Sequence, residues 1–203
     1  MKKLTRDFYN RDTLIVAKDL LGKILVHNIN GKSLSGKIVE VEAYKGISDK
    51  AAHSYNGRRT KRTEVMYGIS GISYVFMIYG IYNCFNITTE KEGIPTAILV
   101  RALEPVDNLD ELSFNRFNKH YIELSKYQRK NITNGPGKLC QALLIDRKQN
   151  GEDLCNNELY ILDSNLHNFK IQSSKRIGID YAEEAADYLW RFYIKDNIYV
   201  SKI

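Results

Sequence analysis

From Val65 to Thr89 the chain carries no charged residue. A run of that length separates two very different molecules, because a membrane-spanning helix needs only about 20 apolar residues. Gly68, Gly71, Gly80, Asn83, Asn86 and several hydroxyls interrupt the run, however, and its bulky residues tend to alternate. Alternation with a period of two places side chains on opposite faces of a strand, so the segment reads as buried β-structure. It predicts a hairpin, with Ile72 to Ile78 outward, a turn at or near Tyr79-Gly80, and Ile81 to Thr88 back.

The rest of the chain is punctuated in a similar way. Asp12 followed by Leu14, Ile15, Ala17, Lys18, Leu21 and Gly22 predicts a short capped helix ended by glycine. Ile24-Leu25-Val26 predicts a strand, Asn30-Gly31 a two-residue hairpin turn, and Gly36 to Tyr44 the returning strand. Lys45 to Thr63 is polar, basic and loop-like. Pro95 to Leu103 supplies another strand and Asp110 to Lys126 a helical stretch. Asn134-Gly135-Pro136-Gly137 breaks the chain before a helix over Lys138 to Leu144. A last strand pair, Leu159 to Leu162 and Phe192 to Val200, flanks a short acidic helix near Ala182 to Leu189. Strands joined by hairpins, with helices at the periphery, predict an α+β fold around an antiparallel sheet, one domain over residues 1–203.

Composition then narrows the functional classes. With 43% hydrophobic and 27% charged residues the chain is neither disordered nor fibrous. No GxGxxG follows a strand and no GxxxxGK[ST] is present, which argues against dinucleotide and P-loop chemistry. Cys84, Cys140 and Cys155 are too few and too scattered for a disulfide framework or a metal cluster. The start Met1-Lys2-Lys3-Leu4-Thr5-Arg6-Asp7 lacks an apolar secretion core, so a cytoplasmic, metal-free and cofactor-free protein is expected, with no membrane partner. Thirty Lys and Arg against 24 Asp and Glu leave a net charge of +6, which suits a polyanionic partner such as nucleic acid.

Several residues stand out chemically. On the strand Val39-Glu40-Val41-Glu42-Ala43-Tyr44, two carboxylates and a phenol share one face, roughly 7 Å from one to the next. The polar face of an ordinary sheet would look the same. A carboxylate against an aromatic wall would instead be suited to general-base work. His53 gains weight only if it converges with Tyr44. Arg58, Arg59, Lys61 and Arg62 crowd around Thr60, either as a solvated loop or as phosphate contacts. Tyr79 beside Gly80 at a hairpin tip is poorly placed for burial, and an exposed apolar tip can act as a wedge. Gly135-Pro136-Gly137-Lys138 opens a helix whose N–H groups could meet an anion.

Taken in order, these blocks resemble the alkyladenine (3-methyladenine) DNA glycosylase family of mammalian type. The resemblance runs through Ala17-Lys18-Asp19-Leu20-Leu21-Gly22-Lys23, Ile38 to Tyr44, Asp49 to His53, Tyr74-Val75 with Ile78-Tyr79-Gly80, and Asn86. It continues through Arg101-Ala102-Leu103-Glu104-Pro105, Gly135 to Ala142 and Arg191-Phe192-Tyr193. It implies a curved antiparallel sheet with a protruding hairpin, like the C-terminal domain of methionyl-tRNA formyltransferase, and a monomer acting on double-stranded DNA with damaged purines. By the same resemblance Glu42 is the general base, Arg101 helps hold the attacking water, and the Ile177 carbonyl is a further water ligand. Tyr44 and His53 form one wall of the base pocket and Phe76 the opposite wall, where well-known members carry a tyrosine. Asn86 crowds a purine 2-amino group and Tyr79 fills the gap left by the flipped base. On charge alone, Arg58, Arg59, Arg62 and Lys138 are expected to meet the phosphates of such a duplex.

Two other functions remain open on sequence grounds. A bifunctional glycosylase/lyase would need an amine for a Schiff base, and no lysine is plainly placed for one beside the Glu42 strand. A non-catalytic nucleic-acid-binding module would have no use for Glu42, Arg101 and Asn86 together.

Overall fold

The computed structural model describes residues 1–164 and 168–202. A two-residue strand β1 (Lys2–Lys3) and one turn of helix α1 (Arg6–Tyr9) precede helix α2 (Thr13–Leu20). Asp12 caps α2 as its sequence predicts, its carboxylate accepting from the backbone N–H groups of Leu14 and Ile15. Gly22, at φ 84°, then turns the chain into β2 (Ile24–Ile29). Asn30-Gly31, both left-handed, returns it as β3 (Lys32–Tyr44), and β2 and β3 pair in register from Ile24↔Lys37 to Ile29↔Lys32.

After a loop of 3-10 turns come the hairpin strands β4 (Ser73–Ile78) and β5 (Tyr82–Thr89), and then β6 (Thr96–Asp107), longer than the sequence predicts. The uncharged run is therefore strand from Ser73 onward, apart from the hairpin turn, while its first residues lie in a 3-10 turn (Glu64–Tyr67) and a loop. Among the described residues no helix is long and apolar enough to cross a membrane. Strand β6 pairs with β5 only from Asn86 to Thr89, so the tip half of the hairpin projects beyond the sheet.

The expected helix over Asp110 to Lys126 is broken. Helix α3 (Leu109–Phe117) stops at a left-handed Asn118, and α4 (Lys126–Lys130) restarts behind Ser125, whose side chain forms a capping box with Gln128. Helix α5 (Pro136–Ala142) begins two residues earlier than predicted, because proline at its first turn fits the helix and forfeits no needed N–H.

The last strands are also arranged differently. Strand β7 (Leu159–Asp163) pairs with β2 and β1, whereas β9 (Arg191–Ile194) pairs with β3 and with β8 (Ile171–Ser174). The two predicted partners never meet, and β8 escapes prediction because its Ile-Gln-Ser-Ser sequence has no apolar alternation. The acidic segment is a 3-10 turn, Glu183–Asp187.

All described strand pairs are antiparallel, and the sheet runs β1-β7-β2-β3-β6-β5-β4 with β9 branching from β3, an α+β architecture. One edge of β3 pairs with β6 along most of its length. The other edge serves β2 up to Lys37 and β9 from Glu40 to Glu42. Register shifts around Ile38, Glu40 and Val41 mark this handover. Consequently Glu40 and Glu42 sit between two partner strands in the interior of the sheet. The core, with Leu20, Leu25, Ile38, Val41, Phe85 and Leu103, covers the opposite side.

Candidate active site

The strand carrying Glu40 and Glu42 does not show a solvated polar face, because both carboxylates are completely buried. Burying an ion without partners is prohibitive, and the partners are arranged around them in a charge-balanced group. Arg101, on the adjacent β6, bridges the two, with Nε 3.2 Å from Glu40 Oε1 and Nη1 3.2 Å from Glu42 Oε2. Arg191 on β9 gives a second cation to Glu40, at 2.8 Å. The backbone N–H and hydroxyl of Ser201 also donate to Glu40, at 2.6 and 2.9 Å. Glu42 accepts instead from the Tyr44 hydroxyl (2.9 Å) and the Ile177 backbone N–H (2.7 Å). Burial and the adjoining carboxylate push the Tyr44 phenol well above its ordinary range, which keeps it a donor.

Above this group opens a cavity of about 430 Å³ whose wall includes Tyr44, His53, Phe76, Tyr79, Asn86, Arg101 and Ile177. Seven of the residues singled out in the sequence thus converge from β3, β4, β5, β6, the hairpin turn and two loops. Glu42 contributes no surface to the cavity and lies behind Tyr44 and Arg101. The amide of Ile177, not its carbonyl, meets Glu42. Asn86 is fixed by donating to the carbonyls of Tyr74 (2.9 Å) and Cys84 (3.2 Å).

His53 belongs to a different wall from the one expected. It packs edge-to-face against Phe76 with ring centroids 4.6 Å apart, and Tyr74 lies 5.2 Å from Phe76. Rings in contact cannot face each other across a base, so His53 and Phe76 form one surface. Tyr44 packs separately, with Ala51 and Tyr188. Tyr74 also lines the cavity; it stands two residues from Phe76 on the same strand, so strict period-two reading could have found it.

The cations expected to face phosphate are mostly engaged within the protein. Arg59 makes two hydrogen bonds to Glu64, at 2.6 and 3.0 Å. Lys138 is held by the side-chain oxygens of Asn131 and Asn134. Arg62 reaches His53 and lies over Phe76. Arg58 is exposed and makes no side-chain hydrogen bond or ion pair among the described residues. At the hairpin tip Tyr79 is 87% exposed and Ile81 69%, an apolar projection at the mouth of the cavity.

The sequence reading missed Arg176, for which only its position before Ile177 gave a hint. Its guanidinium is fully buried with Asp49, at 2.5 and 2.8 Å, donates to the Ala43 and Ala185 carbonyls, and stacks on Tyr44 at 4.8 Å. It thereby ties the Ile177 segment to the end of β3. Among the described residues no lysine lines the cavity, and a Schiff base would need such an amine.

An aromatic cavity set over a buried carboxylate, beside an apolar hairpin tip on a basic protein, has the shape and chemistry to take a planar group carried by a polyanion. The methylpurine-DNA glycosylase family matches residues 7–198. Proteins whose names carry the words 3-methyladenine DNA glycosylase are similar over essentially the whole chain. One from Clostridium novyi is 63% identical over 202 residues, covering 100% of both chains, and one from Desulfitobacterium hafniense is 58% identical over 201 residues, covering 99% of both. The chain belongs to the methylpurine-DNA glycosylase family, and is a DNA glycosylase, a hydrolase of DNA repair.

Proposed function

We propose that the protein excises alkylated or deaminated purines, among them 3-methyladenine, 7-methylguanine, hypoxanthine and ethenoadenine, from double-stranded DNA by base flipping and water attack. The observation that carries this reading is the placement of Glu42 under an aromatic cavity, held by three donors. The flipped base stacks between Tyr44 and the His53–Phe76 surface. Water bound at Arg101, with the Ile177 carbonyl as a further ligand, reaches the buried Glu42 by replacing the Tyr44 hydroxyl on Oε2, and attacks C1′ as the N-glycosidic bond breaks. The water proton passes to Glu42 and the bond's electron pair leaves with the base. The transition state is oxocarbenium-like, as in glycosidases. A cationic base such as 3-methyladenine departs as a neutral molecule and needs no second carboxyl group to protonate it, whereas a neutral base such as hypoxanthine must gain a proton as it leaves. The test is single-turnover excision on duplexes carrying hypoxanthine or ethenoadenine, and on methylated DNA. Strand breaks that appear only after alkali support it; breaks without alkali would point to a lyase.

Flipping costs a few kcal/mol, and we assign part of the offset to Tyr79 filling the vacated stack. Tyr79→Ser should weaken lesion-duplex binding about tenfold, and unchanged affinity and rate would remove the wedge role. Asn86 presents a held carboxamide where a guanine 2-amino group would press. Asn86→Ser should therefore raise excision of undamaged guanine relative to hypoxanthine, and an unaltered ratio would dismiss that role. Arg58, with Arg59 and Lys138 once released from their present partners, would meet the phosphates, whereas Arg62 stays on His53 and Phe76.

A further inference from the structure

Arg62 is exposed, yet its side chain is built into the back of the cavity wall. One guanidinium nitrogen lies 3.2 Å from His53 Nε2, and the guanidinium carbon lies 4.7 Å from the Phe76 ring centroid. Arg62 contributes nothing to the cavity itself. It approaches from a neighbouring groove, which it lines with Lys61, Met77 and Arg147.

Two consequences follow from elementary chemistry. A guanidinium can only donate, so His53 Nε2 must be the unprotonated, accepting nitrogen. In a neutral ring the proton then sits on Nδ1, which donates to the Tyr74 hydroxyl at 2.8 Å. The charged and titratable groups facing His53 are Arg62, Arg58 and the Tyr74 phenol. Burial, followed by these two cations, pushes the imidazole down to about 4, so a neutral ring is the form present near neutral pH. Secondly, a cation already resting on Phe76 competes electrostatically with any cation bound on the cavity side of the same ring. Tyr44 is treated alike by Arg176, at 4.8 Å, but that arginine is buried and structural, whereas Arg62 can be altered from the surface.

We propose that Arg62 is a positioning and specificity-determining residue, which holds His53 as the neutral Nδ1–H tautomer and, by backing Phe76 with positive charge, tilts the cavity from cationic bases toward neutral ones. The specificity half rests on the reading of this cavity as the base pocket; the tautomer half does not. Arg62 thus acts through His53 and Phe76 without touching the base.

The experiment uses the intact protein, with Arg62→Gln and Arg62→Lys beside the wild type. Long-range 1H–15N spectra of the histidine rings in the free protein should show His53 protonated on Nδ1 in wild type and Arg62→Lys, and titrating nearer its ordinary value in Arg62→Gln. At pH 8, where His53 is neutral in all three, single-turnover excision of 7-methylguanine relative to hypoxanthine should rise about three- to tenfold in Arg62→Gln and return in Arg62→Lys. A general loss of DNA affinity cancels in that ratio. A wild-type proton on Nε2 overturns the tautomer assignment, and an unmoved ratio overturns the specificity role. An Arg62-dependent tautomer in a protein that excises neither base would sink the base-pocket reading, and the specificity role with it, while the His53 assignment stands.

Discussion

Glu42→Gln should bind lesion-containing duplex with wild-type affinity and excise the base at least about 10² more slowly. The size of the effect follows from the proposed chemistry, since an amide cannot take the proton of the attacking water. Binding should survive because Glu42 forms none of the cavity surface. The surroundings add a second expectation. Both carboxylate oxygens receive hydrogens, Oε1 from Ile177 and Oε2 from Tyr44 and Arg101. A glutamine must turn its NH₂ toward one of these sets, placing donor against donor at a cost of about 1–3 kcal/mol. The variant should therefore melt several degrees lower, and rates must be compared well below that transition. A folded variant within about threefold of the wild-type rate would show that another group activates the water.

The largest effect on stability is expected at Arg176. Removing one partner of a fully buried ion pair strands the other charge, at a cost of about 3–5 kcal/mol. In Arg176→Ala the stranded group is Asp49, which keeps only the backbone N–H groups of Lys45 and Ala51. For a chain of this length the thermal midpoint should fall by about 10 °C. Excision should also fall at temperatures where the variant is still folded, because the Ile177 N–H would no longer be held against Glu42. Thermal melts followed by circular dichroism check the first expectation. A midpoint within about 2 °C of wild type would mean that the pair contributes little and that the segment is positioned by its other contacts.

These two residues also mark how far the sequence could be read. Glu42 was legible because its neighbours alternate with strand periodicity, and because the Glu-Ala-Tyr block stands in an ordered series of blocks. The hairpins were legible from local chemistry: Asn30-Gly31 and Tyr79-Gly80 each turn where the strands on either side require it. Arg176 was not legible, because its partner is 127 residues away in sequence and nothing local distinguishes a buried arginine from a solvated one. The grouping of His53 with Phe76 was hidden for the same reason; it depends on how a loop folds onto β4. The pairing of β7 with β2, and of β9 with β3, is likewise a matter of long-range topology, to which short strands of similar composition give no clue. The broken helix between Leu109 and Lys130 is a different case, for its stop and start, Asn118 and Ser125, are cap residues visible in the sequence itself.

The chain builds one turn twice. Asn30-Gly31 and Tyr79-Gly80 share the same backbone, with φ 52° and 72° in each. Asparagine enters the left-handed region cheaply, whereas a large side chain there costs roughly 1–2 kcal/mol. At the first turn the residue answers to folding alone. At the second the free protein carries a permanent penalty in order to hold a phenol ring mostly out in water, 87% exposed. Stability and DNA engagement therefore pull against each other at this position. Any effort to make the protein more heat-resistant by relieving left-handed side chains would reach Tyr79 along with Glu90, Leu144 and Glu183, and there it would remove the ring we propose to fill the vacated stack.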